Sequence, residues 1–544
     1  MSSLALLPFA WLLFALTHSA FSNSVTVDEF QHLPAGIVYW QTGDFSFNAY
    51  NPPLLRLLAA APLIADGSVQ APDVSINDSR WNAGQVFQQS LGPAYHDAFV
   101  RARLVIMLIT MLTAFLIYRV AQRSIGQGAA LMALTLFCFN PLVLAHGALV
   151  TTDAGFSLAF FATCIAAVRL LQTPSARCTI ALGLVLGLAL LTKFTAVLLV
   201  PMLLVGAALI SWLGTRPDIS AAYGWLRQSA SRRWLQLLLV LGIAILVVNA
   251  GYLFNASGQP LAGHTFSHPL LQTLSSTWIG QLPLPLPADF IRGFDLQYAQ
   301  AAELFSGYFM GEVTPAGWWY YYPAALLLKT PTLFWLMLIA LLIMIAKRRL
   351  PLTPLLVATL TMPVIGLVAF SALTSINIGV RYLLFMMPFL CLALSHLMVA
   401  EGARVHLRGL ALVCVAYAAS VAVFHPNYIG YFSELAGGPT RGHKYLADSN
   451  LDWGQDLIRL RAYMHTNGIN SVALSNFGLV DPVAYGINYK PVAAAGVGDT
   501  VVISINHLLG LDPWDQANGV EAYRQQLPKA RIGTSLWVFD AIRQ

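Results

Sequence analysis

The stretch LALLPFAWLLFALTHSAFSNSVTVDEFQH, Leu4 to His32, decides how the chain is read. Its first part, Leu4 to Phe21, carries no acid, Lys or Arg and comes close to the ~20 apolar residues that a spanning helix needs. Two carboxylates, Asp28 and Glu29, and an imidazole, His32, follow directly. Ionisable groups at a membrane boundary are costly to hold there without a purpose. On a helix, Asp28 and His32 stand at i,i+4 and Glu29 and His32 at i,i+3, so all three can converge on one site. A plainer reading stands beside it, in which both acids cap a juxtamembrane helix. The apolar run reads as an uncleaved first span, because it lacks the basic n-region of a signal peptide.

Outward from this stretch, 57% of the 544 residues are hydrophobic and 10% are charged. Soluble domains carry about 25% charged residues, so the chain reads as a polytopic α-helical membrane protein. Eleven spans are expected, near 4–22, 101–120, 128–147, 151–171, 178–192, 194–213, 234–254, 323–346, 352–373, 381–399 and 408–425. The net charge of +6 does not point to nucleic acid, since the basic residues sit in short loops. Arg119, Arg123, Arg169, Arg177, Lys347, Arg348 and Arg349 all fall in loops on one side, which the positive-inside rule makes cytoplasmic.

That orientation puts three polar regions on the outer face: the loops 23–100 and 255–322, and the tail 426–544. The expected organisation is a membrane domain over 1–425 and a small extracytoplasmic α/β domain over 426–544. Val472–Ser475, 500–505 and 535–539 read as strands and 457–467 as a helix. The run 53–61 reads as an interfacial amphipathic helix, and Trp318 to Tyr322 as an aromatic belt. Five cysteines, in or beside apolar runs without CxxC spacing, read as packing thiols.

Further ionisable residues stand at outer helix ends: Arg56, Asp153, Lys193, Lys329 and Arg381. Each alone could snorkel or cap. Together with Asp28, Glu29 and His32 they gather acids and bases on one side. Lys and Arg there suit phosphate groups, and an acid beside them suits a general base or a metal ligand. Asp448-x-Asn450-x-Asp452 imitates a calcium loop but has Trp453 and Arg459 where Gly and Glu are required. It reads instead as a structural cap that docks the tail on the membrane domain.

Taken in order, Asp28-Glu29, Asn51-Pro52-Pro53-Leu54, Thr151-Thr152-Asp153, Gly311-Glu312, Gly317 to Pro323, Leu328 to Pro331 and Asn377 to Tyr382 resemble the polyprenyl-phosphate-dependent glycosyltransferases of the GT-C superfamily. Protein O-mannosyltransferases and bacterial lipid A aminoarabinose transferases are the nearer groups. The tail from Tyr431 to Pro439 and from Asp448 to Leu457 is similar to a bacterial branch. The resemblance implies a GT-C fold and inverting transfer of a sugar from undecaprenyl- or dolichyl-phosphate to a hydroxyl acceptor on the non-cytoplasmic face.

It also implies that Asp28 is the general base or positions the acceptor, with Glu29 assisting or binding a metal. His32, Arg56 and Asp153 would line the cavity. Arg56, Lys193 and Arg381 are the candidates for phosphate contacts. A divalent cation, held by Glu29 and His32, is left open. Relatives carry Glu-Lys before the Pro-Pro pair where this chain has Tyr50-Asn51, which puts a metal site and a lipid A acceptor in doubt. The expected partners are the lipid-phosphate sugar, a protein, glycan or lipid acceptor and membrane lipids, in a bacterial inner membrane with the site facing the periplasm. The rival classes are a flippase of lipid-linked sugars, which favours midplane broken helices, and an envelope scaffold, which needs no Asp28.

Overall fold

The computed structural model describes residues 3–73, 79–213, 223–303, 305–373, 376–400, 403–514 and 516–542. Hydrophobic pressure sets the first layer. Helix α1, Leu6–Ser22, buries Leu12 and Leu16 but exposes Leu7, Leu13 and Phe14. A helix apolar on every side is at home where lipid replaces water.

Six helices among the described residues are long and apolar enough to cross a membrane, at 3–22, 80–124, 153–172, 230–251, 354–372 and 380–399. Each matches an expected span. Four further expected spans correspond to shorter apolar helices, Gln127–Cys138, Ala176–Leu190, Phe194–Gly206 and Arg408–Ala422. The first of these stops short because Asn140 caps a new helix, Pro141–His146, accepting from the Leu142 and Val143 N–H groups. The chain is thus a multi-pass helical membrane protein.

The expected span at 323–346 needs correcting. It is two helices, Tyr321–Lys329 and Thr332–Ala346, that meet at 110°. Pro331 cannot continue the backbone ladder. Lys329 is buried at the bend and donates to the carbonyls of Ile429 (2.7 Å) and Asn450 (2.5 Å), so it ties the bend to the tail. It does not snorkel.

The three polar regions meet at one end of the helices. After α1 the chain runs extended, and Ser24 N–H and Val27 N–H donate to the carbonyls of Gln455 and Trp453. Helix α2, Glu29–Thr42, follows, then α3, Leu54–Ala65, α4, Arg80–Leu91, and the long α5, Tyr95–Ser124. The run expected to lie on the interface is α3, and it packs into the protein: Leu55, Arg56, Ala59, Ala60 and Leu63 are buried. A Cβ on Gly36 of α2 would lie 2.2 Å from the Arg56 carbonyl oxygen, so this close crossing requires glycine. The aromatic run divides. Trp319 is exposed, whereas Tyr321 and Tyr322 are buried and their hydroxyls bond Asn450 and the Ile376 carbonyl.

Seven short strands are present among the described residues, β1 (Gly307–Phe309), β2 (Glu312–Thr314), β3 (Val472–Ser475), β4 (Tyr489–Pro491), β5 (Thr500–Ser504), β6 (Ala530–Ile532) and β7 (Leu536–Asp540). β1 and β2 form a hairpin, and the tail sheet has the order β4-β3-β5-β7-β6, parallel at β4-β3-β5 and antiparallel beyond. β3, β5 and β7 coincide closely with the expected strands, and the helix Leu457–Thr466 with the expected one. The five cysteines are free, and Cys138, Cys164 and Cys391 are buried.

The sheet unit docks through a turn, Asp448–Asn450. Ser449 Oγ donates to the Ile378 carbonyl (2.7 Å), and Asn450 Oδ1 accepts from the Val380 N–H (2.9 Å). Gly379 lies between these bonds, and a Cβ there would fall 2.1 Å from Ser449 Oγ. Gly379→Ala is therefore expected to lower the melting temperature of the detergent-solubilised chain. Ser449→Ala in the same chain should restore part of it, because the next contact, with Ser449 Cβ, is an ordinary 3.4 Å. A double variant no more stable than Gly379→Ala alone would refute this packing account.

Candidate active site

Where the docked turn meets the helix ends lies a cavity of about 830 Å³. Asp28 stands on its wall at the head of α2. Its side chain makes no capping bond, so the plainer reading of this acid does not describe it. The carboxylate instead reaches Arg381 Nη1 at 2.9 Å and keeps 21% of its surface exposed. Asp28 and His32, one helical turn apart, both line the cavity.

Glu29 does not join them, because neighbouring helical residues point about 100° apart. It is fully buried behind the wall, paired through both oxygens with Arg103 Nε (2.8 Å) and Nη2 (2.6 Å). It also accepts from the N–H and hydroxyl of Thr26 and from the N–H of Val150. Burial alone would raise its pKa; Arg103 and these bonds outweigh that and hold it below the ordinary value.

Arg381 is the hub. One guanidinium nitrogen serves Asp28 and, at 3.1 Å, Asp153, while the plane lies 4.3 Å from the Trp453 ring and 4.6 Å from that of Tyr382. Its Nε is buried and has no protein partner among the described residues. Asp153 is buried just behind the cavity wall and holds Lys193 at 2.7 Å, with the ammonium 4.5 Å over the Tyr382 ring. Arg381 and Lys193 thus both face the cavity, each oriented by the same hidden carboxylate.

Arg56 is not among the cavity-facing cations. It is buried behind His32, where Nε donates to His32 Nδ1 at 2.9 Å and Nη1 donates to the Tyr39 hydroxyl and the Asn48 carbonyl, both at 2.6 Å. Its role here is to orient the imidazole. The proton of His32 is thereby assigned to Nε2. Burial, then the charges of Arg56 and Arg381, push the His32 pKa well below its usual value, so the ring is neutral.

Glu29 and His32 do not fit a divalent cation. The Glu29 oxygens are filled by donors, and His32 Nδ1 faces a guanidinium. Among the described residues no three His, Cys, Asp or Glu side chains converge as a ligand set.

Sequence reasoning missed several cavity residues, Arg80 and Asp448 among them. Arg80 stacks on Tyr50 (4.3 Å) and Trp81 (4.9 Å) and lines the cavity. It opens α4, within the long polar stretch 23–100, and its one signal is the adjacent Trp81. Asp448 also lines the cavity. The docking role expected of its loop is present, but the acid itself faces the space shared with Asp28.

Residues 94–250 match the family model of dolichyl-phosphate-mannose-protein mannosyltransferases. Of the motifs that carry the resemblance, Thr151-Thr152-Asp153 lies within this match. No curated protein matches the chain. Among solved structures it is similar to ArnT from Cupriavidus metallidurans bound to undecaprenyl phosphate, at 14% identity and a TM-score of 0.48, over 98% of this chain and 97% of that one. The apo form of the same protein gives 13% identity and a TM-score of 0.44 over the same shares.

Proposed function

We propose that the chain is a membrane glycosyltransferase. It moves a sugar from an undecaprenyl- or dolichyl-phosphate donor to a hydroxyl of a protein, glycan or lipid acceptor, with inversion. The setting is a bacterial inner membrane with the cavity towards the periplasm. One observation carries this reading: Arg381, Lys193 and Arg80 face the same cavity as the carboxylate of Asp28. The mannosyltransferase family match over 94–250 supports it.

Transfer has two electrostatic demands. The departing phosphate gains negative charge, which preorganised cations stabilise most strongly in a site closed to water. Arg381 and Lys193 are held by Asp153, and the buried Nε of Arg381 is a donor with no acceptor among the described residues. The attacking hydroxyl must lose its proton, and Asp28 is the group that receives it. Neutral His32, braced by Arg56, is a further hydrogen-bond donor in the wall. Leu198, Ala369 and Phe370 add an apolar side suited to the first isoprene units.

A flippase would need none of this proton chemistry. The experiment is to reconstitute the full chain in liposomes with radiolabelled mannosyl- or aminoarabinosyl-phosphoundecaprenol and an envelope fraction as acceptor source. Label should pass to the acceptor while undecaprenyl phosphate is released. Label that crosses the bilayer with its phosphosugar bond intact would sink the transferase reading in favour of transport.

A further inference from the structure

We infer that Asp448, carried by the docked tail domain, is the carboxylate that finally takes the acceptor's proton, relayed from Asp28 through the cavity. The inference rests on the transferase reading and adds a residue to it.

The two cavity carboxylates have opposite surroundings. Asp28 touches Arg381 at 2.9 Å and shares that guanidinium nitrogen with Asp153. Asp448 has no cation within salt-bridge distance among the described residues, and its Oδ1 accepts from the Ser449 N–H at 2.5 Å. The charged and titratable neighbours acting on it are Arg381 and Tyr382 on one side, Asp28 at the head of α2, Tyr321, and Asp452 on its own loop. Arg80, Glu303 and Asp512 also line the cavity. Burial pushes Asp448 up to about 7, with Asp28 adding to the rise and the Ser449 bonds and Arg381 opposing it. A group of that value is about half ionised at neutral pH, so it can both accept a proton and give it up.

Its placement is built. Asp448 sits at φ +55°, a left-handed conformation that Asp and Asn tolerate better than most side chains. Its N–H donates to Asn506 Oδ1 at 2.9 Å, and the residues after it grip the Arg381 helix through Ser449 and Asn450. The tail domain therefore completes the cavity and is not a remote appendage.

The step balances as follows. The acceptor O–H bond breaks and a bond forms from that oxygen to the anomeric carbon. The bond from that carbon to the phosphate oxygen breaks, and its electron pair leaves with the polyprenyl phosphate. The proton passes to Asp28, then to Asp448, and from there to bulk water.

Asp448 must be ionised to accept the proton, so wild-type turnover should fall about tenfold per pH unit below about 7. Asp448→Asn suits the same backbone conformation and keeps the acceptor oxygen for Ser449. It should lower kcat about tenfold or more, leave KM for the donor unchanged and flatten the acid limb. Asp448→Gly also suits this φ, and added formate should restore part of its kcat. If wild type transfers sugar while Asp448→Asn keeps both its rate and its acid limb, the inference falls alone. It falls equally if formate does not revive a folded Asp448→Gly. If wild type itself transfers nothing, the transferase reading falls first.

Discussion

Asp28→Asn should lower sugar transfer by about 10²–10⁴-fold while polyprenyl-phosphate binding survives. The substitution keeps the size and shape of the side chain and removes its proton affinity and its charge. The fold should tolerate it, because Asp28 is partly exposed and caps nothing. Arg381 keeps its second partner, Asp153, at 3.1 Å, and Asp153 keeps Lys193 at 2.7 Å, so the cation pair stays oriented. One carboxylate fewer beside Arg381 leaves the phosphate a less contested guanidinium, so donor affinity should hold or rise. Parallel assays of transfer and of undecaprenyl-phosphate binding on one preparation separate chemistry from binding. Near wild-type transfer in a folded Asp28→Asn would remove Asp28 from the mechanism.

The sequence was most informative where one physical constraint acts alone. Lipid demands apolar helices with internally satisfied backbones, so the expected spans reappear as apolar helices, the one at 323–346 excepted. That span breaks because Lys329 finds carbonyls some hundred residues away, at Ile429 and Asn450, and no local pattern encodes a distant acceptor. The same limit explains the site. Asp28, His32, Lys193 and Arg381 were legible because an ionisable side chain at a span end is conspicuous, and all four line one cavity. Which cation faces the cavity was not legible. Arg56 and Arg381 look alike in sequence, yet one lies under an imidazole and the other between two carboxylates. Arg80 heads the short α4 and Asp448 opens a three-residue turn, and at both only tertiary packing decides what a charge meets. β4 and β6 escaped because three-residue strands leave almost no alternation to read.

The pair behind the site should govern whether that site forms at all. Arg103→Met is expected to destabilise the chain by about 3–5 kcal/mol, since it strands a buried carboxylate. Glu29 and Arg103 are both fully buried, so water cannot replace the lost partner. Arg103 does more than neutralise Glu29. It donates to the carbonyls of Ala20, Asn23 and Ser24, fixing the link between α1 and α2, while Glu29 holds Val150 at the approach to Asp153. Losing it should loosen the head of α2, and with it the position of Asp28. Replacing Glu29 by Gln in the same chain should recover much of the loss, because a neutral amide costs far less to bury than a lone charge. The pair also sets an acid limit. Glu29 has a depressed pKa in the fold, so its contribution is present above the ordinary carboxylate range and is lost as the pH falls through the folded value. The check is the melting temperature of wild type, Arg103→Met and the double variant in detergent at neutral and acid pH. An Arg103→Met that melts like wild type would mean that the carboxylate finds water or another cation, and the buried pair would then not be what holds α2 against α5.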